Sequence, residues 1–211
     1  RDSSGEERFD VAKMFRRETW CIGESAFAVL LLLIGTSMLD GFYGSYYNLN
    51  QLVFDAFDAP VSIIGIFFGA SYAVNATAYI AADFFSSRFG KRNTMLGSML
   101  IEAGLFMILP WFASNPLCLF GLSMVLCFLP EVVYITSENL IQDAIADDLR
   151  ATILSVASLV RALFSAMFFS IFGYVLGLYP IQIALGVIGA IAIAITAVVS
   201  LKMVGIHVSK N

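Results

Sequence analysis

Residues 26–50 read AFAVLLLLIGTSMLDGFYGSYYNLN. Ten residues without a polar side chain run straight into Thr36, Ser37 and Asp40, and then into Tyr43, Tyr46, Tyr47, Asn48 and Asn50. In a soluble protein this is a core helix running out into a loop, and the acid needs no explanation. In a lipid bilayer it does. An ionisable side chain at the centre of a spanning helix costs at least about 2.5–3.5 kcal/mol even on the mildest insertion scale. The fold class therefore turns on which solvent surrounds this stretch.

Composition decides it. The chain has 211 residues, 59% hydrophobic and 13% charged, with a mean hydropathy of +0.85. Soluble domains carry about 45–50% apolar and about 25% charged residues. The chain offers several apolar runs of the roughly 20 residues that a spanning helix needs, and none of the alternating ten-residue segments of a membrane β-barrel. An all-α, polytopic membrane protein is expected. Six spans can be read, near Ser25–Tyr47, Val61–Ala82, Thr94–Phe112, Leu117–Leu140, Ala151–Leu178 and Ile181–Met203. Pro60, Pro110, Pro116 and Pro180 fall at the ends of these runs, where a missing N–H costs nothing, and Pro130 alone lies mid-helix.

The positive residues fix an orientation. Arg1, Arg8, Lys13, Arg16 and Arg17 precede the first span, Arg88, Lys91 and Arg92 join the second to the third, and Arg150 joins the fourth to the fifth. Lys202 and Lys210 close the chain, while the connections 48–60, 112–116 and 178–180 carry only Asp55 and Asp58 as charges. Every Lys or Arg outside a span thus falls on one side, and the positive-inside rule makes that side, with both termini, cytoplasmic. A plasma membrane of the bacterial inner-membrane type is the expected location. One missed or added span would scatter the charges.

Three segments follow: a cytoplasmic linker at 1–24, a six-helix bundle at 25–203 and a cytoplasmic tail at 204–211. The linker stretch EERFDVAKMFRRETW places Phe9, Ala12, Phe15 and Trp20 roughly on one helical side, which suits a helix lying in the membrane interface, although a charged helix in water fits as well. The polar opening RDSSGEERFD, with no initiating Met, suggests a longer parent chain. Cys21, Cys118 and Cys127 are odd in number and irregular in spacing, so packing is a better reading for them than a disulfide framework or a metal site. The lone histidine, His207, near the C-terminus, argues against histidine-based hydrolysis in the membrane. No nucleophile, base or metal cluster can be assembled, so an enzyme is not expected, nor a cofactor, nor a nucleic-acid partner.

Five ionisable residues lie at bilayer depth: Asp40, Glu102, Glu131, Glu138 and Arg161. On the first span Thr36, Asp40, Tyr43, Gly44 and Tyr47 form one stripe, on the second Tyr72, Asn75 and Tyr79, on the fourth Glu131, Tyr134 and Glu138. The fifth span supplies Ser155, Ser158, Arg161 and Ser165. The sixth is almost wholly apolar and the third carries only Glu102, so these two read as peripheral while the first, second, fourth and fifth surround something wet. Other readings stay open. Tyr46 and Tyr47 suit an interfacial aromatic belt, and the serines suit close helix packing. The pairs Gly65–Gly69 and Gly173–Gly177 are expected to be packing sites. Glu138 lies near enough to the cytoplasmic end to be solvated. Counting about 1.5 Å per residue puts Arg161 about 15 Å deep, Glu131 about 10–15 Å and Asp40 about 20 Å. A Glu131–Arg161 ion pair is then expected, with Asp40 left as the unpaired acid able to carry a proton.

Two segments carry a family likeness. Residues 83–95 read DFFSSRFGKRNTM, and residues 141–164 read IQDAIADDLRATILSVASLVRALF. The first resembles the cytoplasmic signature G-x-x-x-D-R-x-G-R/K-R/K of the major facilitator superfamily, matching it from Arg88 through Gly90 to Lys91 and Arg92. Asp83 stands where that signature has its first Gly, and Ser87 where it has Asp. The second resembles the arginine-led start of span 11. The resemblance covers essentially the whole chain as spans 7 to 12, preceded by part of the central loop. It implies one six-helix half of a secondary transporter, in which the first, second, fourth and fifth helices line a central cavity and substrate binds between two halves. It implies a partner half in the same or a second chain, a small-molecule substrate, a possible role for protons, and the bilayer as solvent. On this reading Asp40, Tyr43, Tyr47, Tyr72, Asn75, Glu131, Tyr134 and Arg161 serve substrate binding or proton coupling. Asp83, Ser87, Arg88, Gly90, Lys91 and Arg92 form a switching loop. The competing expectation is a six-span scaffold or assembly subunit that uses its polar stripes to hold partner helices.

Overall fold

The structure is a computed structural model that describes residues 26–112, 114–143, 145 and 150–204, with side chains from Leu33 to Leu201 within those segments. The linker at 1–24, its interfacial helix, Cys21 and His207 lie outside the described residues. Among the described residues six helices are seen: α1 Ala26–Ala56, α2 Val61–Phe89, α3 Lys91–Phe112, α4 Pro116–Asp143, α5 Arg150–Leu178 and α6 Ile181–Val204. The last five are long and apolar enough to cross a membrane, which marks a multi-pass membrane protein. Their outward faces agree, with Ile66, Ile80, Leu100, Leu117, Leu163 and Leu201 all more than half exposed. Such a surface suits lipid and would aggregate in water.

The helix ends follow local chemistry. Asn115 caps α4, its Oδ1 accepting from the N–H groups of Leu117 at 2.9 Å and Cys118 at 3.3 Å, with Pro116 at the first helical position. Asp58, at φ 56°, turns the chain between α1 and α2. Two elements differ from expectation. Helix α1 runs to Ala56, nine residues beyond Tyr47, because residues 48–56, NLNQLVFDA, contain no Gly or Pro to stop it. The expected switching loop is not a loop. Asp83, Ser87 and Arg88 lie in α2, Lys91 and Arg92 begin α3, and the whole connection is Gly90 at φ 82°, a backbone conformation that needs glycine.

At this end of the bundle Lys91 pairs with Asp143, tying the start of α3 to the end of α4, and Arg150 Nη2 donates to the Gln142 carbonyl at 3.3 Å. The described positive residues that join helices therefore gather at one end, as their sequence positions require.

Helix α1 is the hub, packed along α5 and against α4 and α6; α3 lies between α4 and α6, and α2 against α4 and α3. Phe42 centres an aromatic core, its ring edge-on to Phe106, Phe168 and Phe172 with centroids 5.8, 5.3 and 4.8 Å away. Close approach is made by small residues, though not by the expected pairs. A Cβ on Gly41 would lie 2.7 Å from the Phe164 Cβ and from the Ser165 nitrogen, so α1 and α5 touch backbone to side-chain base there. Gly189 brings α6 onto Phe106 of α3, where a Cβ would meet the backbone at 3.1 Å. Gly65, Gly69, Gly173 and Gly177 have nothing within 4 Å of a built Cβ. Their sequence spacing marks a smooth helix face, and in this chain that face meets no other helix.

Candidate functional site

Arg161 organises the polar residues. It stands on α5 one turn before Phe164 and Ser165, the residues against which Gly41 packs, so Asp40 is delivered to its side by the close approach of α1 to α5. The Nε group of Arg161 forms an ion pair with the Asp40 carboxylate, and its Nη2 lies 3.6 Å from Oε1 of Glu138. The guanidinium carbon sits 4.2 Å from the centroid of the Tyr134 ring, a cation–π geometry. Asp40, Glu138 and Arg161 retain 24, 26 and 23% exposure of their side chains, so the cluster opens on one face while its helices bury the rest.

This corrects the expected pairing. Asp40, not Glu131, is the partner of Arg161. Glu131 lies on the same side of α4 as Tyr134 and within electrostatic reach of both Asp40 and Arg161, with no ion pair among the described residues. Depth counting placed Glu131 and Arg161 at one level but carried no information on which helix lies beside α5. Glu138 likewise belongs to the cluster. The long arginine side chain bridges from mid-helix toward the end of α4, reaching an acid whose position alone suggested solvent.

A second polar group joins α1, α2 and α4. The Tyr47 hydroxyl and Ser71 Oγ are 3.1 Å apart, Tyr72 adjoins Tyr47, and the Asn75 side-chain amide faces the carbonyls of Ser71 and Cys127 at 3.2 Å each, to which its nitrogen donates once the amide is turned over. Tyr72 and Tyr79 are 71 and 60% exposed on the same side of α2. Thus Tyr47, Tyr72 and Asn75 come together, and Asp40, Tyr134, Arg161 and nearby Glu131 form a separate group.

Tyr43 joins neither. At about 100° per residue it sits some 60° round the helix from Asp40, on the opposite side to Gly44. That turns it into the core, 3% exposed, with its ring stacked on Phe106 at 5.6 Å. Its hydroxyl makes no hydrogen bond among the described residues, and the polar groups near it, Glu102 on α3 and Thr196 on α6, are buried without partners as well. Glu102 is wholly buried, which corrects the peripheral reading of α3. The sequence does carry the signal, since Thr94, Ser98 and Glu102 recur every four residues and all three are buried.

No family model, curated protein or solved structure matches this chain.

Proposed function

We propose that this chain is the C-terminal half of a secondary active transporter of the major facilitator type. It moves a small organic solute by alternating access with proton coupling, its six helices all cross the membrane, and both termini are cytoplasmic. The observation that carries the reading is the Arg161 cluster. An arginine held at mid-helix by two carboxylates and a tyrosine ring, on a face left open to one side, is a costly arrangement in a membrane unless a polar solute passes there. Arg161 already has Asp40 and Glu138, and Glu131 stands close by, so the excess charge is negative. A solute bearing a cationic group fits that balance better than an anion.

Tyr47, Tyr72 and Asn75 extend the same path along α2, and the Gly90 junction with the Lys91–Asp143 pair is the element that shifts when the halves rock. The test is uptake of organic cations into proteoliposomes by the full-length protein under an imposed proton gradient. Gradient-driven uptake that Arg161→Ala abolishes supports the reading. Absence of flux for cationic, neutral and anionic solutes, with intact folding, overturns it. Orientation is checked separately: a single cysteine at exposed Asn115 reacts with an impermeant thiol reagent from outside and one at exposed Asn93 does not. The reverse pattern sinks the topology.

A scaffold is the second reading, and the open glycines of α2 and α5 favour it, because faces that meet no helix here accept helices from elsewhere. Flux separates the two.

A further inference from the structure

Glu102 is the acid that the Arg161 cluster leaves out. It sits midway along α3 with 0% exposure, and neither carboxyl oxygen has a hydrogen-bond partner. The groups facing it come from three helices. Tyr43 and Asp40 belong to α1, one turn apart; the Cys127 thiol belongs to α4; and Thr196 of α6 stands beyond the Tyr43 hydroxyl. No basic side chain pairs with it among the described residues, and the charge that acts on it, Asp40, is negative. Phe106, one turn along α3, closes the site with its ring flat against Tyr43, 20° from parallel.

A bare carboxylate in this place has lost its water and gained no cation or donor in return, which is the arrangement that drives an acid to neutralise itself. A proton or a metal ion could do so. Hard cations ask for six or more oxygen ligands, and no group of three His, Cys, Asp or Glu capable of holding a metal occurs among the described residues. A proton needs only one acceptor, and the Tyr43 hydroxyl, buried near the same carboxyl and itself without a partner among the described residues, can supply it.

We propose that Glu102 is a buried proton-binding site. The folded protein holds it as the neutral carboxylic acid, whose O–H is directed to the Tyr43 oxygen while the Tyr43 O–H turns to Thr196. One proton joins one carboxylate and no electrons move. Release requires α1 to shift against α3, because α1 carries both the tyrosine that covers the acid and the aspartate whose charge acts on it. Asp40 links this site to the solute. A cation bound beside Asp40 and Glu138 weakens the negative charge that acts on Glu102, while burial alone keeps the proton in place until α1 shifts. This use of the proton rests on the transporter reading, whereas its presence does not.

Infrared difference spectroscopy of the purified protein in lipid nanodiscs tests the occupancy. The C=O stretch of a protonated carboxyl should be present at neutral pH, move when glutamate side chains carry heavy carbon, disappear in Glu102→Gln, and persist in Asp40→Asn. Tyr43→Phe removes the acceptor and should shift that band, which keeps the test open if Glu102→Gln does not fold. Thermal unfolding of Glu102→Gln should match wild type, since an amide copies the neutral acid in shape. A spectrum without a protonated glutamate band overturns the proposal. So does a Glu102→Gln protein far more stable than wild type, or wild type stabilised by an added metal salt. A lost transport activity with the band intact breaks the transporter reading alone, and gradient-driven uptake without the band breaks this site alone.

Discussion

Asp40 and Glu102 are acids at similar depth in one bundle, on helices that both pack around the Phe42 core, yet they have opposite surroundings. Asp40 has a cation in contact, a second acid across that cation, and about a quarter of its side chain open. Glu102 has hydroxyls near it, no exposure and no cation among the described residues. The difference teaches that depth alone does not decide what a membrane acid does. An acid with a cation beside it has a partner for its charge. One without a cation has to surrender its charge.

Removing the cation should give the largest effect. Arg161→Ala strands Asp40 and Glu138 beside each other, and breaking a buried pair from one side costs about 3–5 kcal/mol. With a quarter of each side chain exposed, a loss of about 3 kcal/mol in unfolding free energy is expected, read by thermal or denaturant unfolding in detergent. Adding Asp40→Asn and Glu138→Gln to that variant should recover part of it, and strictly additive losses would show that the groups do not act together. Next comes Gly41→Ala, whose new methyl overlaps Phe164 and Ser165 and pushes α1 from α5. Overpacking of this kind costs about 1–3 kcal/mol. The same change at Gly65 or Gly173, where nothing lies within 4 Å, should leave stability unaltered. A loss there equal to that at Gly41 would mean that those faces are covered.

Asp40→Asn by itself should cost less than Arg161→Ala, because Arg161 keeps Glu138 and the Tyr134 ring, and solute binding should weaken more than folding does. Isothermal titration beside unfolding separates the two. The smallest effect is expected from Ser71→Ala, which removes the hydrogen bond to Tyr47, about 0.5–1.5 kcal/mol by unfolding. If Ser71→Ala outweighs Arg161→Ala, the ion-pair cluster is not the structural centre of the open face.

The membrane class and, among the described residues, the six helices and their order were legible in the chain because they depend on composition and on runs of about 20 apolar residues, which are local properties. So was the grouping of Arg88, Lys91 and Arg150 at one end, a consequence of counting spans. The ionisable residues inside those runs were legible too, since any charge there stands out. Which of them would meet was not. Pairing depends on the azimuth of each helix and on which neighbours touch, and these are set by contacts such as Gly41 on Phe164 and Gly189 on Phe106, between residues 123 and 83 positions apart in the chain. Those contacts turned Asp40 toward Arg161 and Tyr43 toward Glu102, three residues and about 60° apart on the same helix. The sequence by itself determined that charges interrupt long apolar runs; the packing of the helices decided which of them has a cation beside it and which has none, because Coulomb attraction depends on separation in space and takes no account of position along the chain.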